Sequence, residues 1–253
     1  MVSVTQRITI IEQPRGGYLP ISKFDCIQID DRRLLITEEN IPPTIVGTVV
    51  DYISRWQCSG DKKEAFRISL KGAVLAGQTD NAVNLFTNIT DLSDYSINNA
   101  CKLVYFDAFA RGGHHYNNSL ETINPDHNTC ENIRIMVKRS LEFFNRFGPV
   151  TENGFHMLGG YSKTINTGDG DFLTKDAVWE FKVLKNEPNS KHTLQILVYY
   201  IMGKNSINPN FSTVRKLGIF NPRQNKVYIC DSKNIDRTVY AAVSKNVICY
   251  GCD

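Results

Sequence analysis

The sequence predicts an α/β protein with a mixed sheet flanked by helices, preceded by a mostly helical region. Two observations lead to this. Apolar residues recur at helical spacing in the first half, whereas short apolar runs separated by turn residues follow Gly148-Pro149. An order of helix, antiparallel strands, helix and further strands is typical of a mixed sheet with helices packed on it. We therefore expect an accessory region at 1–118 and a core at 119–253.

The accessory region begins with two short predicted strands, at 8–11 and 26–29, around a turn with two glycines. Helical patterns then follow at 41–53, 63–75, 80–86 and 97–109, and the first of them opens with prolines. The polar, Gly-rich segment 111–118 indicates a loop or domain junction. Its adjacent His114 and His115 are candidate metal ligands, but an exposed loop is favoured because neighbouring side chains diverge.

The core begins with a predicted amphipathic helix at 126–147, whose apolar residues recur at i, i+4, i+8 and i+11. Strands are predicted at 155–158, 161–165, 171–173 and 177–184. A helix at 193–202 follows, and then a hairpin formed by 214–220 and 226–230. These elements supply the strands of the expected mixed sheet.

Composition places limits on the function. The net charge of +3 allows a local nucleic-acid groove without requiring one. Seven scattered cysteines favour a reducing compartment over a disulfide framework. We expect no signal peptide, and no apolar run approaches the roughly 20 residues of a membrane helix. The absence of a Walker-type loop argues against nucleotide hydrolysis.

Charged residues in the core provide the candidate chemistry. Asp171 ends a Gly-rich turn, and Glu180 and Lys182 share one face of an apolar strand because side chains alternate along a strand. If Lys175 and Asp176 form a two-residue loop, Asp171 lies opposite Glu180. Two carboxylates in that position repel unless a cation lies between them, and oxygen ligands suit Mg²⁺ or Mn²⁺. Lys182 would then hold a water or a phosphoryl oxygen, as phosphodiester hydrolysis requires.

Two other interpretations of these residues are open at the sequence level. Glu180 and Lys182 could form a structural ion pair while Asp171 is a solvated turn residue, but the Gly-rich turn and apolar flanks favour catalysis. A calcium loop is rejected because Leu173 falls at a ligand position. A transport or scaffold protein with a fortuitous motif is a further alternative, and it would place Asp171 and Glu180 far apart.

The acid, the Glu-x-Lys strand and the following helix resemble the PD-(D/E)xK nuclease superfamily, in the style of its RecB-like and phage exonuclease-like members. The resemblance covers 126–253 and implies a restriction-endonuclease-like core. It implies that Asp171 and Glu180 bind Mg²⁺ or Mn²⁺ and that Lys182 supports the attacking water. Gly170 stands where the superfamily name has Pro.

Further site residues come from the same resemblance. RecB-like members carry Gln and Tyr on the helix after the Glu-x-Lys strand, which corresponds here to Gln195 as a catalytic candidate and Tyr199 as a nucleic-acid contact. The two are four residues apart and so share one helix face. An acid on the preceding helix would complete the metal site. Glu142 is preferred because it is nearer the sheet, Glu131 stays open, and Asp169 is a possible extra ligand.

Basic residues and a cysteine pair are further candidate features of the core. Lys185 and Lys191, with Lys204, Arg215, Lys216 and Arg223, follow the site in sequence and either bind nucleic acid or form a solvated basic face. Cys249 and Cys252 form a CxxC pair, but no second pair of that spacing exists to complete a zinc site.

The sequence therefore predicts a Mg²⁺- or Mn²⁺-dependent deoxyribonuclease. By resemblance it would act in phage replication, recombination or defence, in the cytoplasm of a prokaryotic or phage-infected cell. The N-terminal region would contact DNA, a protein partner or a second subunit, and no membrane partner is expected. The alternative is a catalytically inactive nucleic-acid-binding or regulatory module on a nuclease fold.

Overall fold

The computed structural model describes residues 2–112 and 119–251. The helices of this part of the chain are α1 (Val4–Ile10), α2 (Pro43–Ser59), α3 (Lys62–Ala65), α4 (Arg67–Leu75), α5 (Thr79–Thr87), α6 (Asp94–Val104), α7 (Asp107–Ala110), α8 (His127–Phe147), α9 (Ser190–Lys204) and α10 (Arg237–Ala242). The strands are β1 (Val2–Ser3), β2 (Asp25–Gln28), β3 (Val150–Asn153), β4 (Ile165–Thr167), β5 (Phe172–Thr174), β6 (Ala177–Phe181), β7 (Lys216–Asn221) and β8 (Lys226–Asp231).

A six-stranded mixed sheet organises the strands in the order β2-β8-β7-β6-β5-β3. Only β6 and β7 run parallel among its neighbouring pairs, and α9 connects them. Strands β1 and β4 pair separately. The expected α/β fold with a mixed sheet flanked by helices is confirmed at this level.

The chain divides into two compact units. The sheet unit contains Met1–Ile29 and Phe144–Asp253, and the helical unit contains Asp30–Phe143. The boundary expected between 118 and 119 falls inside the helical unit. The first 29 residues group with the sheet because β2 pairs with β8 at its edge.

Helix α9 fills the core of the sheet unit on one face of the sheet. Its residues from Thr193 to Gly203 are all buried, as expected for a helix that is apolar nearly all round. The opposite sheet face carries Phe172 and Trp179, which stack with ring centroids 6.2 Å apart. Phe144 and Phe147, at the end of α8, pack edge-on against these two rings at 5.2 and 5.6 Å. The ends of β5 and β6 are thus fixed between two apolar layers.

The helical unit is built around a buried carboxylate. Asp107 is 5% exposed and accepts hydrogen bonds of 2.5 Å from the hydroxyls of both Tyr52 and Ser69. Arg111 lies 3.6 Å from the same carboxylate. Because an unpaired buried charge is costly, these partners are what make the burial of Asp107 tolerable.

Several predicted elements are wrong in type or extent. Residues 8–10 belong to α1 rather than to a strand, because Ser3 and Gln6 form a capping box that starts a helix. The strands predicted at 155–158 and 161–165 are wrong in position: β3 ends at Asn153, before the first of them, and β4 begins at Ile165, where the second was expected to end. Gly154 and Gly159 adopt left-handed backbone, with φ of 62° and 81°, and this interrupts extended structure.

Two predicted helices are each divided in two. The pattern at 63–75 forms α3 and α4, separated at Phe66, and the pattern at 97–109 forms α6 and α7, separated at Tyr105 and Phe106. Phe66 and Phe106 are both buried, so tertiary packing sets these breaks. The helix at 126–147, the strand at 26–29 and the hairpin after 214 are confirmed within two residues at each end.

Candidate active site

Asp171 and Glu180 meet across neighbouring strands. Phe172 pairs with Trp179 and Leu173 with Val178, which confirms Lys175 and Asp176 as the two-residue loop. One step further along this register, Asp171 lies opposite Glu180. Asp171 precedes β5, and its Oδ2 accepts a hydrogen bond of 2.6 Å from the backbone N–H of Phe181. Asp171 and Glu180 are therefore not far apart, as they would be if the motif were fortuitous.

Glu180 and Lys182 form a close ion pair. Glu180 is 3% exposed and lies on the α9 face of the sheet, the same face as Val178. The Nζ of Lys182 lies 2.6 Å from its Oε1. The backbone N–H of Lys182 donates to the carbonyl of Phe220 at 2.9 Å, which fixes the residue at the end of β6. A buried ion pair is weak evidence for stability, so its presence here is compatible with function.

Gln195 and Tyr199 extend from α9 to the acid turn, defined here as Gly168–Asp171. Gln195 Nε2 donates to the Tyr199 hydroxyl at 3.0 Å, and that hydroxyl donates to the carbonyl of Asp169 at 3.0 Å. Both side chains are buried. Burial, followed by the charge of Glu180, raises the pKa of Tyr199 well above its ordinary value, so its hydroxyl remains a donor. The expected contact of Tyr199 with DNA stays a prediction.

The surroundings of Gly170 account for the absence of proline at this position. A Cβ at this position would lie 1.8 Å from Cζ of the buried Phe155 ring. The N–H of Gly170 also donates to the carbonyl of Phe155 at 3.0 Å, and proline has no N–H to donate. Both the space and the hydrogen bond therefore exclude proline from this turn.

Two histidines near the site were not singled out from the sequence. His156 Nδ1 lies 3.0 Å from Asp169 Oδ1. His192, in the first turn of α9, accepts from the backbone N–H of Asn189 through Nδ1 at 3.1 Å. Burial, and then the charge of Lys182, lowers the pKa of His192 to about 4, so its ring is neutral near pH 7. The spacing of Asn189 and His192 is that of a capping box, which was the available signal.

The predicted helix acids lie in the helical unit. Glu131 pairs with Arg134, and Glu142 is exposed near the end of α8. Within residues 2–112 and 119–251, no three His, Cys, Asp or Glu side chains cluster closely enough to hold a metal ion. The choice between Glu142 and Glu131 as a third ligand stays a prediction.

The basic residues predicted to bind nucleic acid lie at different ends of the sheet. Because β6 and β7 are parallel, Lys182 and Asn221 lie at the same edge, whereas Lys216 lies at the opposite end of β7 and pairs with Asp176 at 2.8 Å. Lys185 and Lys191 are exposed; Lys185 lies in the segment between β6 and α9, and Lys191 lies in the first turn of α9. Lys185 and Lys191 therefore follow the end of β6 that carries Lys182, whereas Lys216 lies at the other end of β7.

His114, His115 and Cys252 lie outside the described residues, so the metal and CxxC interpretations that involve them stay predictions. No helix in the described part of the chain combines the length and apolar character needed to cross a bilayer. No family model, curated protein or solved structure matches this chain.

Proposed function

We propose that the chain is a nuclease that hydrolyses the phosphodiester bonds of DNA with Mg²⁺ or Mn²⁺. One observation carries the proposal: Asp171 lies opposite Glu180 on a sheet face, and Lys182 lies 2.6 Å from Glu180. A buried strand has no folding requirement for this arrangement. Where a local folding rule is broken in this way, a functional reason is the first to consider.

The ligand atoms present suit a hard cation. Asp171 and Glu180 offer carboxylate oxygens, and neither a thiolate nor an imidazole lies between them in the β5–β6 ladder. Mg²⁺ is commonly held by one or two carboxylates and keeps several waters. When bound, the ion would lower the pKa of a water and stabilise negative charge on the phosphate. Asp171 and Glu180 would hold it.

The remaining residues have distinct roles in the proposal. Lys182 provides an ammonium beside the carboxylates, which can hold the attacking water or a phosphoryl oxygen. Gln195 is buried next to the same turn and orients groups there through its amide. Lys185 and Lys191 contact the phosphate backbone, which positions a strand without reading its sequence.

Cleavage of DNA with defined variants tests the proposal. Wild-type protein should cut linear DNA with Mn²⁺ and stop when EDTA is added. Asp171→Asn and Lys182→Ala should each lower the rate by at least ~100-fold, because each removes charge stabilisation at the reacting phosphate. Asp80→Asn, on the exposed side of α5, and Lys175→Ala, in the exposed β5–β6 loop, are matched controls that should cut like wild type.

Two results would count against the proposal. If Asp171→Asn and Lys182→Ala cut as fast as wild type, these residues do not form the site. If wild-type protein binds DNA but never cuts it under any divalent cation, the chain is the non-catalytic module instead. Mn²⁺ titration by calorimetry, performed on the same preparations, separates a missing metal site from a missing activity.

A further inference from the structure

Asp171 needs support that β5 does not give it. It precedes the first residue of that strand and lies opposite the carboxylate of Glu180. Like charges directly opposite each other destabilise a sheet pair. A residue at the end of a ladder has fewer backbone hydrogen bonds to resist that repulsion. The pairing of Glu180 with Lys182 and the hydrogen bond from Phe181 offset this repulsion, and contacts outside β5 also hold the acid turn.

Backbone contacts hold one side of the acid turn. Gly154 N–H donates to the carbonyl of Asp171 at 2.8 Å, and Gly170 N–H donates to the carbonyl of Phe155 at 3.0 Å. The hydroxyl of Tyr161 donates to the carbonyl of Gly168 at 3.0 Å. These bonds tie the turn to the segment that follows β3.

Helix α9 contacts the other side of the turn through Tyr199. The Tyr199 hydroxyl donates to the carbonyl of Asp169, two residues before Asp171, and receives a hydrogen bond from Gln195. Tyr199 is 1% exposed, and the Phe155 ring packs edge-on against it at 5.8 Å. The hydroxyl therefore has a fixed position on a rigid helix.

We propose that Tyr199 is a positioning residue that holds the acid turn, through the carbonyl of Asp169, so that Asp171 stays opposite Glu180. The purpose of this positioning, which is to keep Asp171 at the metal site, rests on the proposed function. The contact itself lies within the protein and does not involve DNA or metal. Gln195 supports it by orienting the hydroxyl toward Asp169. Tyr199 thus acts on the acid turn through its hydroxyl.

Amide hydrogen exchange tests this without any metal or substrate. The Phe181 N–H donates to Asp171 Oδ2 and reports on the position of that side chain. The neighbouring Lys182 N–H donates to Phe220 and is an internal control. In Tyr199→Phe, exchange at Phe181 should become about 3- to 10-fold faster, the effect of losing one ordinary hydrogen bond, while exchange at Lys182 stays unchanged.

A matched variant controls for the loss of any buried hydroxyl. Tyr250→Phe also removes a hydroxyl that donates to a backbone carbonyl, that of Gly160, outside the acid turn. It should leave exchange at Phe181 unchanged. The inference is overturned if Tyr199→Phe leaves exchange at Phe181 unchanged, or if it accelerates Phe181 and Lys182 equally, since that would be a general loosening of the strand.

Metal affinity connects the inference to the site. Calorimetry should give a dissociation constant for Mn²⁺ that is about 3- to 10-fold higher in Tyr199→Phe than in wild type or Tyr250→Phe. Equal affinity in all three proteins would overturn the positioning role. If wild-type protein does not bind Mn²⁺, the proposed function fails, whereas the exchange experiment still decides whether Tyr199 holds Asp171.

Discussion

Replacement of Gly170 by alanine tests how tightly the acid turn is packed. The added Cβ would lie 1.8 Å from Cζ of Phe155, and ordinary contact begins at 3.4 Å, so the ring or the turn must move by about 1.6 Å. Phe155 cannot move freely, because Tyr199 and Phe211 pack edge-on against it at 5.8 and 5.3 Å. Overpacking of this kind costs about 1–3 kcal/mol. Gly170 does not adopt left-handed backbone, so alanine can take the same conformation. Alanine also lowers the conformational entropy of the unfolded chain, which stabilises the protein by about 0.4–1 kcal/mol.

The expected net loss is about 1–2 kcal/mol, which corresponds to a Tm lower by about 2–8 °C for a domain of this size. Thermal unfolding followed by circular dichroism measures it. Phe155→Leu provides a second arm, because a smaller side chain makes room for the methyl group. In that background, Gly170→Ala should cost about 1 kcal/mol less than in wild type. If Gly170→Ala is as stable as wild type, or if its cost is the same in both backgrounds, the packing account of this turn is wrong.

Three further predictions concern stability. As the pH falls, His192 is protonated at about pH 6.5 in the unfolded chain but only at about pH 4 in the folded protein, where its pKa is lowered. Protonation therefore favours the unfolded chain, and stability falls between about pH 6.5 and pH 4. His192→Gln keeps the capping-box spacing. When the pH falls from about 7 to about 4.5, its free energy of unfolding, measured with urea, should drop by about 1–2 kcal/mol less than that of wild type; this figure allows for screening by solvent. Equal losses would contradict this. Asn221→Ala should lower the free energy of unfolding by about 2–3 kcal/mol. The buried side-chain amide of Asn221 accepts a hydrogen bond from the N–H of Leu184 and donates one to its carbonyl. Ser69→Ala should cost about 1.5–3 kcal/mol by removing a hydroxyl from buried Asp107, and denaturant midpoints check both losses.

The sequence predicted the centre of the sheet well, because local patterns determine it. The strand predicted at 177–184 ends at Phe181. It is mostly apolar and follows a two-residue loop, so its register with β5 could be predicted from the spacing of Asp171 and Glu180. The helices α8 and α9 have long, regular apolar patterns. Elements of this kind depend little on distant parts of the chain.

The parts that sequence patterns missed depend on tertiary contacts or on single capping residues. Ile8 and Ile10 favour a strand by composition, yet the Ser3 capping box places them in α1. The capping-box spacing of Asn189 and His192 marks a helix start and not a site, and the folded structure is what brings His192 near Lys182 and His156 near Asp169. The hydrogen bond from Tyr199 to a backbone carbonyl thirty residues away could not be predicted from helical spacing.

A crystal structure with Mn²⁺ tests the central claim most directly. Anomalous diffraction from crystals soaked in Mn²⁺ locates the ion without reference to any assumed function. The proposed site predicts a peak within about 2.0–2.6 Å of carboxylate oxygens of both Asp171 and Glu180. It also predicts that this peak disappears in Asp171→Asn crystals soaked in the same way. A peak elsewhere, or no peak between these two carboxylates in wild-type crystals, would contradict the metal-dependent nuclease.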